Sequence, residues 1–371
     1  MPLDPPAPYA TVTLLITLST ALVRADRETD LGSFRLPYDA EAQRALDRTV
    51  LACLLRGAEP PASLPELFAW CRERPLSDWP LDALPDAVGQ EDRLLDPEHG
   101  RPTELCHEWA TRSRDSATEA RDRQVIRAAL RACTEAGEED AYTAFRRLLI
   151  ERPVLTATDA FAVTSDLVLE PVKGILSTIY QEVPESYARD GFYATCGRCL
   201  TLLVPVRGGQ WWCERDRCRR DGPPPIGREL PISEVGDLRQ LERPLRQFVT
   251  GPGRAEVELE RRLRALSLKV QMWPNFDSYD LRITFADGHV WAIDVKDWAH
   301  PYFLARAARP VPAAPPYDEA FWVVPRHRVE DRPGYLAVFA RNRPGSAASL
   351  VLLTDDALVR RAHARVKEHH A

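Results

Sequence analysis

The stretch SYDLRITFADGHVWAIDVKDW, residues 278–298, holds two runs of alternating apolar and polar residues separated by Asp287 and Gly288. Such alternation over about four to eight positions is typical of a strand with one buried face. An Asp-Gly pair favours the two-residue turn that joins neighbouring antiparallel strands. The stretch therefore predicts a β-hairpin whose open end lies at residues 280 and 294.

Polar side chains meet at this open end. Because side chains alternate across a strand, Asp294 and Lys296 share one face, and the turn brings them back towards Asp280. Two carboxylates that close repel each other unless a cation lies between them, and Mg²⁺ prefers oxygen ligands. We expect Asp280, Asp294 and the carbonyl of Val295 to bind Mg²⁺ or Mn²⁺, with Lys296 either orienting a metal-bound water or neutralising charge on a scissile phosphate.

A third acid is expected from the preceding stretch, GPGRAEVELERRLRALSLKV, which has the apolar spacing of an amphipathic helix. At about 100° per residue, Glu256 falls closer to the centre of the apolar stripe than Glu258 or Glu260. Glu256 is therefore the glutamate predicted to point inward.

Lysine is rare in this chain, with four lysines among 49 basic residues, and Lys296 is the one with an acid two positions before it. Lysine is a compact point charge whose pKa burial can lower, whereas arginine stays protonated. High-GC codon bias, or an ordinary strand end reaching solvent, are the alternatives to a catalytic role.

Four of the eight cysteines lie within 23 residues, in the motifs CGRC and CERDRC. Thirteen residues separate the two pairs and are typical of a strand, a turn and a second strand. This spacing predicts a structural Zn²⁺ site with four thiolate ligands and no open position. Two disulfides are the alternative, which suits a cytoplasmic chain poorly. The predicted ligands are Cys196, Cys199, Cys213 and Cys218.

Charge is unevenly distributed along the chain. Residues 1–192 carry 21 basic and 33 acidic side chains, whereas residues 193–228 carry 7 arginines against 3 acids. Because phosphate contacts need clustered positive charge, a nucleic acid is expected to meet the C-terminal half. The arginines of the cysteine-rich segment suit a DNA backbone or equally solvate a small domain. They include Arg215, Arg217, Arg219 and Arg220.

Three domains are predicted. Residues 1–192 have helical periodicity broken by prolines and form a scaffold or a partner-binding region; residues 193–228 form the zinc ribbon, followed by a proline-rich linker at 221–233. Residues 229–371 alternate helix and strand, which favours an α/β sandwich around a mixed sheet. The apolar run at 10–23 is too short to span a bilayer, so we expect a buried helix and a cytoplasmic protein.

These residues resemble the PD-(D/E)XK, or restriction-endonuclease-like, nuclease superfamily. Its pattern of a helix glutamate, an aspartate opening a strand and (D/E)-x-K on the next strand is matched by Glu256, Asp280 and the IDVK motif ending at Lys296. The resemblance covers about residues 245–365, with Tyr279 in place of the usual proline. It implies a metal-dependent endodeoxyribonuclease in which Glu256, Asp280 and Asp294 bind or organise the metal and Lys296 is catalytic.

The whole architecture is similar to the restriction endonuclease-related proteins that accompany prokaryotic pPIWI-RE proteins. This resemblance implies defence against plasmid or phage DNA beside a PIWI-like protein and a DinG-type helicase, with DNA or an RNA–DNA hybrid as target. A homodimer would supply a second catalytic centre for a duplex. The alternative function is a non-catalytic zinc-ribbon adaptor or DNA-binding subunit with a degenerate nuclease fold.

Overall fold

The computed structural model describes residues 9–27, 36–81, 84–85, 88–112 and 117–368. The first helices are α1 (Tyr9–Arg27), α2 (Ala40–Leu54), α3 (Leu64–Glu73), α4 (Glu104–Ala110), α5 (Ala117–Ala136), α6 (Glu139–Glu151), α7 (Ala157–Ser165) and α8 (Lys173–Ile179). They are followed by α9 (Asp216–Arg219), α10 (Ile232–Val235), α11 (Arg243–Leu245), α12 (Gly251–Arg264), α13 (Pro274–Asp277), α14 (Pro301–Arg306), α15 (Arg326–Asp331), α16 (Tyr335–Asn342) and α17 (Asp355–Glu368).

The strands fall into small sheets and one larger sheet. The strands of the small sheets are β1 (Val154–Leu155), β2 (Tyr180–Glu182), β3 (Phe192–Cys196), β4 (Val204–Pro205), β5 (Trp211–Trp212), β6 (Ile226–Pro231) and β7 (Arg239–Leu241). The strands of the larger sheet are β8 (Lys269–Met272), β9 (Leu281–Thr284), β10 (Val290–Val295), β11 (Glu319–Val324) and β12 (Val351–Thr354).

The chain divides into two compact units, each built from separate segments. The first unit comprises the described parts of Met1–Ala120 with Trp298–Ala308 and Arg328–Ala348. The second unit comprises the described parts of Arg121–Asp297, Arg309–His327 and Ser349–Ala371. Both units therefore take segments from early and late parts of the chain.

The first unit is helical. Ser63 is the N-cap of helix α3, and its hydroxyl accepts the Glu66 N–H at 3.3 Å. Its core includes Trp109 of α4 packed edge-on against Phe303 of α14, with ring centroids 4.3 Å apart. In the run at 10–23 that the sequence predicts as a buried helix, most of the side chains that the structure describes are buried in α1, while Thr13 is exposed. Among the described residues, no helix combines the length and apolarity needed to cross a membrane.

The five-stranded sheet forms the centre of the second unit, in the order β12-β11-β10-β9-β8. The predicted hairpin is confirmed, because β9 and β10 pair antiparallel with Ile283 opposite Trp291. Strand β8 also pairs antiparallel, whereas β10, β11 and β12 are parallel neighbours. The sheet is therefore mixed, as the helix and strand order predicts. Strand β10 reads as a nearly continuous apolar run because it is buried along most of its length.

The cysteine-rich segment forms two small antiparallel pairs, β3 with β6 and β4 with β5. Strand β6 lies within the stretch 221–233 that the sequence predicts as a linker, and that prediction is wrong there. Its prolines extend the backbone into a pairing edge, where the Pro225 carbonyl accepts the Gly197 N–H at 2.7 Å. Backbone pairing holds this strand although most of its side chains are exposed.

Helix α6 packs closely against the start of α12 in the second unit. The Thr250 hydroxyl donates to the Leu149 carbonyl at 2.7 Å. A Cβ on Gly253 would lie 2.4 Å from the Ile150 Cδ1 atom, a distance that real Cβ contacts do not reach. The glycine therefore lets the two helices approach, and α12 arrives at the sheet with Glu256 facing inward.

Candidate functional site

The open end of the β9–β10 hairpin gathers the predicted residues. Asp280 immediately precedes β9, and its Oδ2 accepts the Val295 N–H at 2.6 Å. The Lys296 ammonium donates to Asp294 Oδ1 at 2.5 Å, and the Lys296 N–H donates to the Val323 carbonyl on β11 at 2.7 Å. The strand pairing thus brings Asp280, Asp294, Val295 and Lys296 together at one edge.

Helix α12 adds Glu256, which is 5 % exposed. Its Oε2 accepts the Trp273 indole N–H at 2.7 Å and lies 3.5 Å from Arg146 Nη2. The helix phase thus selects the inward glutamate correctly against Glu258, which is exposed. Glu260 is also buried, because Arg147 pairs with it at 2.8 Å, a contact that periodicity alone does not reveal.

Buried charges shift each other's pKa values at this site. Burial raises the pKa of Asp280 well above its usual range, and the nearby Glu256 and Asp294 carboxylates raise it further. Burial also raises the pKa of Glu256, while Arg146 opposes that rise. For Lys296 burial works against the charge, but Asp294 and Asp280 outweigh it and raise the pKa. The lysine is therefore an ammonium at neutral pH.

The acids offer a donor set that suits a hard divalent cation, since all are carboxylate oxygens. Among the described residues, the four cysteines are the one group of three or more His, Cys, Asp or Glu found with metal-site geometry, with ligand atoms within 4.8 Å of one another. At the hairpin end, Asp280, Asp294 and Glu256 are the residues that could hold a hard cation.

The backbone before Asp280 follows an unusual left-handed path. Trp273, Asn275, Phe276 and Asp277 have φ angles of 46°, 50°, 55° and 71°. Non-glycine residues adopt this region at a cost of about 1–2 kcal/mol each. The Trp273 N–H donates to the Asp280 carbonyl at 2.7 Å, so the turn leads directly into the site. No glycine marks it, and the sequence carries no signal for it.

One face of α6 holds this turn in place. The Tyr142 hydroxyl donates to Asp277 Oδ2 at 3.1 Å, and Arg146 Nε lies 3.4 Å from the same oxygen. Glu139 accepts the Asn275 N–H at 2.7 Å. These three side chains lie at helical spacing on one face of α6, and no local pattern in the sequence connects them with the site. Arg146, a charged residue at a buried position of this amphipathic helix, is the signal that could have pointed to them.

The cysteine cluster has the geometry of a metal site. Cys196, Cys199, Cys213 and Cys218 are buried free thiols with all four Sγ atoms within 4.8 Å of one another. The Sγ atoms of Cys199 and Cys213 are 3.5 Å apart, close to the roughly 3.8 Å edge that a Zn–S distance of about 2.3 Å gives in a tetrahedron. Disulfide sulfurs would be about 2 Å apart. The cluster could hold a metal ion such as zinc.

The arginines predicted to contact DNA have different surroundings. Arg215 Nη2 lies 3.3 Å from Asp297 Oδ2, and its side chain is 11 % exposed. Arg219 pairs with Asp216 at 2.7 Å and lies over the Trp212 ring. Arg217 pairs with Asp221 at 3.2 Å, and Arg220 is exposed. Arg217 and Arg220 thus present more of their guanidinium surface to solvent.

Family models match two parts of the chain. The model described as "REase associating with pPIWI_RE" matches residues 253–370, which contain the site just described. With the mixed sheet, this match supports a restriction-endonuclease-like domain in residues 253–370. The model described as "pPIWI_RE three-gene island domain Y" matches residues 14–156. The chain belongs to the restriction-endonuclease-related proteins of the pPIWI-RE system. Neither a curated protein nor a solved structure matches it.

Proposed function

We propose that the chain is a Mg²⁺- or Mn²⁺-dependent endodeoxyribonuclease of PD-(D/E)XK type, built on a restriction-endonuclease-like α/β sandwich. The observation that carries this proposal is the proximity of Asp280, Asp294 and Lys296 at the hairpin end, with Glu256 buried beside them and influencing their pKa values. The match to a restriction-endonuclease family supports it.

Each residue has a distinct part in phosphodiester hydrolysis. Asp280, Asp294 and the Val295 carbonyl would bind the divalent cation, which when bound activates a water and stabilises charge on the phosphate. Lys296, protonated because of its acidic neighbours, neutralises charge that develops on the scissile phosphate. Glu256, held by hydrogen bonds from its neighbours, organises the carboxylates around the cation.

The cysteine cluster serves a structural role in this proposal. Four thiolates fill the coordination shell of a tetrahedral zinc and leave no position for substrate. The ion would tie β3 and the β4–β5 pair together, where the buried cysteines supply much of a small core. Reduced thiols are maintained in the cytoplasm, where we place the reaction. Arg217 and Arg220, with the ion-paired Arg219, are the proposed DNA contacts of this ribbon, whereas Arg215 is turned towards the nearly buried Asp297.

The proposed biological role is prokaryotic defence against plasmid or phage DNA. The descriptions of both matching families refer to pPIWI-RE systems, and on that basis we propose a PIWI-like protein and a DinG-type helicase as partners. The target is DNA or an RNA–DNA hybrid. Because each chain carries one proposed centre, a homodimer would cut both strands of a duplex.

Plasmid nicking tests the proposal. The full chain is incubated with supercoiled DNA and Mg²⁺ or Mn²⁺, beside Asp294→Ala and Lys296→Ala. The matched control is Lys269→Ala, which removes an exposed lysine on the edge strand β8. We expect wild type and the control to nick, and the two site variants to lose about 100-fold or more in rate, as general acid–base and electrostatic groups typically contribute.

The outcomes separate the proposed classes of protein. Equal nicking by wild type and both site variants would show that a contaminant or another site cuts the DNA. If wild type binds DNA without nicking it, the non-catalytic adaptor is the better description. The observation that favours that alternative is that, among the described residues, the group with metal-site geometry is the four cysteines and not the three carboxylates. Zinc analysis of Cys196→Ser and Cys213→Ser tests the ribbon separately, and unchanged metal content in both would reject the zinc site.

A further inference from the structure

We infer that the second cysteine knuckle, Cys213 to Cys218, positions the proposed active site through Glu214 and Arg215. These two residues lie between the predicted cysteine ligands; Arg215 contacts Asp297, which follows Lys296, and Glu214 contacts Arg246, which precedes the helix of Glu256. The catalytic consequence rests on the proposed nuclease function, whereas the positioning itself does not.

Arg215 reaches the end of strand β10. Its Nη2 atom lies 3.3 Å from Oδ2 of Asp297, the residue that directly follows Lys296, and Nη1 donates to the Gln247 carbonyl at 3.4 Å. The Asp297 side chain is 5 % exposed, and its second oxygen lies 3.6 Å from His327 Nε2. The pair is thus nearly sheltered from water, where removing one partner of an ion pair is more disruptive than at a surface.

The chain leaves space for this guanidinium. A Cβ on Gly251, the first residue of α12, would lie 2.2 Å from Arg215 Nη1 and 2.6 Å from its Cζ. Any other residue at position 251 would push the Arg215 side chain aside. The glycine before Pro252 in GPGR is therefore explained by the arginine that fits against it, and not by the backbone conformation, because its φ of −58° is available to any residue.

Glu214 makes the second link. Its two carboxylate oxygens accept from Arg246 Nε and Nη2 at 2.7 and 2.8 Å, a bidentate arrangement with strong geometric specificity. Arg246 is buried and opens the π-helical turn Arg246–Thr250 that leads into α12 and so to Glu256. Consecutive residues of one knuckle therefore contact the approach to α12 and the end of β10.

The contacts of Glu214 and Arg215 depend on a fixed conformation of the knuckle between Cys213 and Cys218. Cys213 and Cys218 flank the two residues, and a metal bound by the four thiolates would fix the loop at both ends. Loss of the metal would remove this restraint from the four residues between Cys213 and Cys218, which include Glu214 and Arg215. Arg215 is therefore a positioning residue for the nuclease site, acting through Asp297 on Lys296.

Amide exchange measures the positioning without any need for activity. The reporters are the N–H of Val295, which donates to Asp280, and the N–H of Lys296, which donates to Val323. We expect Arg215→Gln in the full zinc-loaded chain to speed exchange at these amides about tenfold or more, since a charged hydrogen bond contributes more than about 1.4 kcal/mol. Removing zinc from wild type should give a similar increase, and removing it from the variant should add little.

Arg217→Gln is the matched control for exchange. It makes the same change on the same knuckle, but its ion pair is with Asp221 in the same segment, so exchange at Val295 and Lys296 should stay at the wild-type rate. Asp297→Asn removes the partner of Arg215 and leaves the ribbon unchanged, so it decides the matter if Arg215→Gln loses zinc or fails to fold. Unchanged exchange at both amides in Asp297→Asn would overturn the inference.

Kinetics separate positioning from DNA contact. If wild type nicks DNA, Arg215→Gln and Asp297→Asn should lower kcat about tenfold with little change in KM, and the double variant should be no slower than either single one. Arg215→Lys, which keeps the charge, should restore part of the rate. A rise in KM alone would make Arg215 a DNA contact and overturn the inference. If wild type does not nick, the nuclease proposal fails, and the exchange experiment still decides the positioning.

Discussion

Glu108 in the first unit is a buried carboxylate. Its Oε1 accepts the Ala299 N–H. Burial raises its pKa from 4.5 to about 7, although Arg328 opposes the rise. The folded protein therefore binds this proton between pH of about 4.5 and about 7, whereas the unfolded chain has already lost it. Stability must fall as the pH rises through that window, because the native state holds more protons than the unfolded state.

Glu108→Gln tests this pH dependence. The amide keeps the acceptor for Ala299 and has no proton to lose, so we expect the variant to gain stability relative to wild type as pH rises from 5 to 8. The gain in unfolding free energy should be of the order of 2–3 kcal/mol, obtained from the midpoint and slope of urea unfolding at each pH. Taking the difference between the two profiles cancels the contribution of His300, whose burial lowers its pKa to about 3. Parallel profiles would contradict the assigned pKa.

Arg146 lies beside two carboxylates in the second unit, that of the buried Glu256 and that of the half-buried Asp277. Arg146→Met should cost about 3–5 kcal/mol of unfolding free energy, because it leaves buried acids without their partner. Arg147→Met is the control. Arg147 is about one-third exposed, and its partner Glu260 keeps Arg264, so the loss should be nearer 1 kcal/mol. Thermal unfolding measures the stability of both variants, and equal losses would contradict the larger loss expected for Arg146→Met.

Sequence alone predicted the residues whose neighbours are near in the chain or follow from regular geometry. Alternation and a turn place Asp280 beside Asp294, and helix phase turns Glu256 inward. Arg146 gave no such signal, because its contact with Glu256 spans 110 positions along the chain. The pairing of Arg215 with Asp297 spans 82 positions and was also missed. Long-range ion pairs depend on tertiary packing, which no local pattern encodes.

The close contact between α6 and α12 depends on the absence of a side chain at Gly253. Gly253→Ala would normally favour a helix by about 1 kcal/mol, but here the new Cβ meets the buried Ile150 side chain at 2.4 Å. We expect a net loss of about 1–3 kcal/mol in urea unfolding, as is usual for overpacking. Gly174→Ala in α8, where nothing lies within 4 Å, should be neutral or slightly stabilising.

A double variant identifies the cause of that loss. Ile150→Ala removes the atoms that the new methyl group meets, so Gly253→Ala should cost less in the Ile150→Ala background than in wild type. The two changes are in contact, and their effects should therefore be non-additive. A cost of Gly253→Ala that is the same in both backgrounds would place the strain elsewhere.

At the level of elements, the β9–β10 hairpin and the amphipathic helix α12 were predicted correctly. Two elements were not. Strand β6 was predicted as a linker because prolines dominate the stretch before it, yet it pairs with β3 through its backbone. The left-handed turn at 273–277 uses residues that rarely adopt that conformation, and contacts with α6 hold it there. Tertiary contacts override local preference in both places.

The second unit draws its core from helices that precede the ribbon. Tyr142, Phe145 and Leu149 of α6 are buried in the same core as Leu259 of α12 and Ile293 of β10. A fragment of residues 193–371 would expose the faces against which α5 and α6 pack, at about 1.5–3 kcal/mol per large side chain. Several such losses approach the 5–15 kcal/mol that stabilises a whole domain.

We therefore expect residues 193–371 to lack fixed tertiary structure, whereas residues 117–371 should retain it. Near-ultraviolet circular dichroism and the cooperativity of urea unfolding distinguish the two fragments. Cooperative unfolding of the shorter fragment at the same urea midpoint as the longer one would show that α5 and α6 are dispensable. The first family match, which ends at residue 156, thus includes α6, which shares its core with α12 and β10.

Because the first unit is built from separate segments of the chain, it cannot be completed until its last segment has been synthesised. Phe303, which packs on Trp109, and the segment Arg328–Ala348 are synthesised long after α4. At about 5–20 residues per second, completion of the first unit lags behind α4 by roughly 10–50 s. During that interval the apolar face of α4 is exposed on the nascent chain. A message truncated after the β9–β10 hairpin would therefore leave both units unfinished, and the polypeptide would be a substrate for chaperones and proteases.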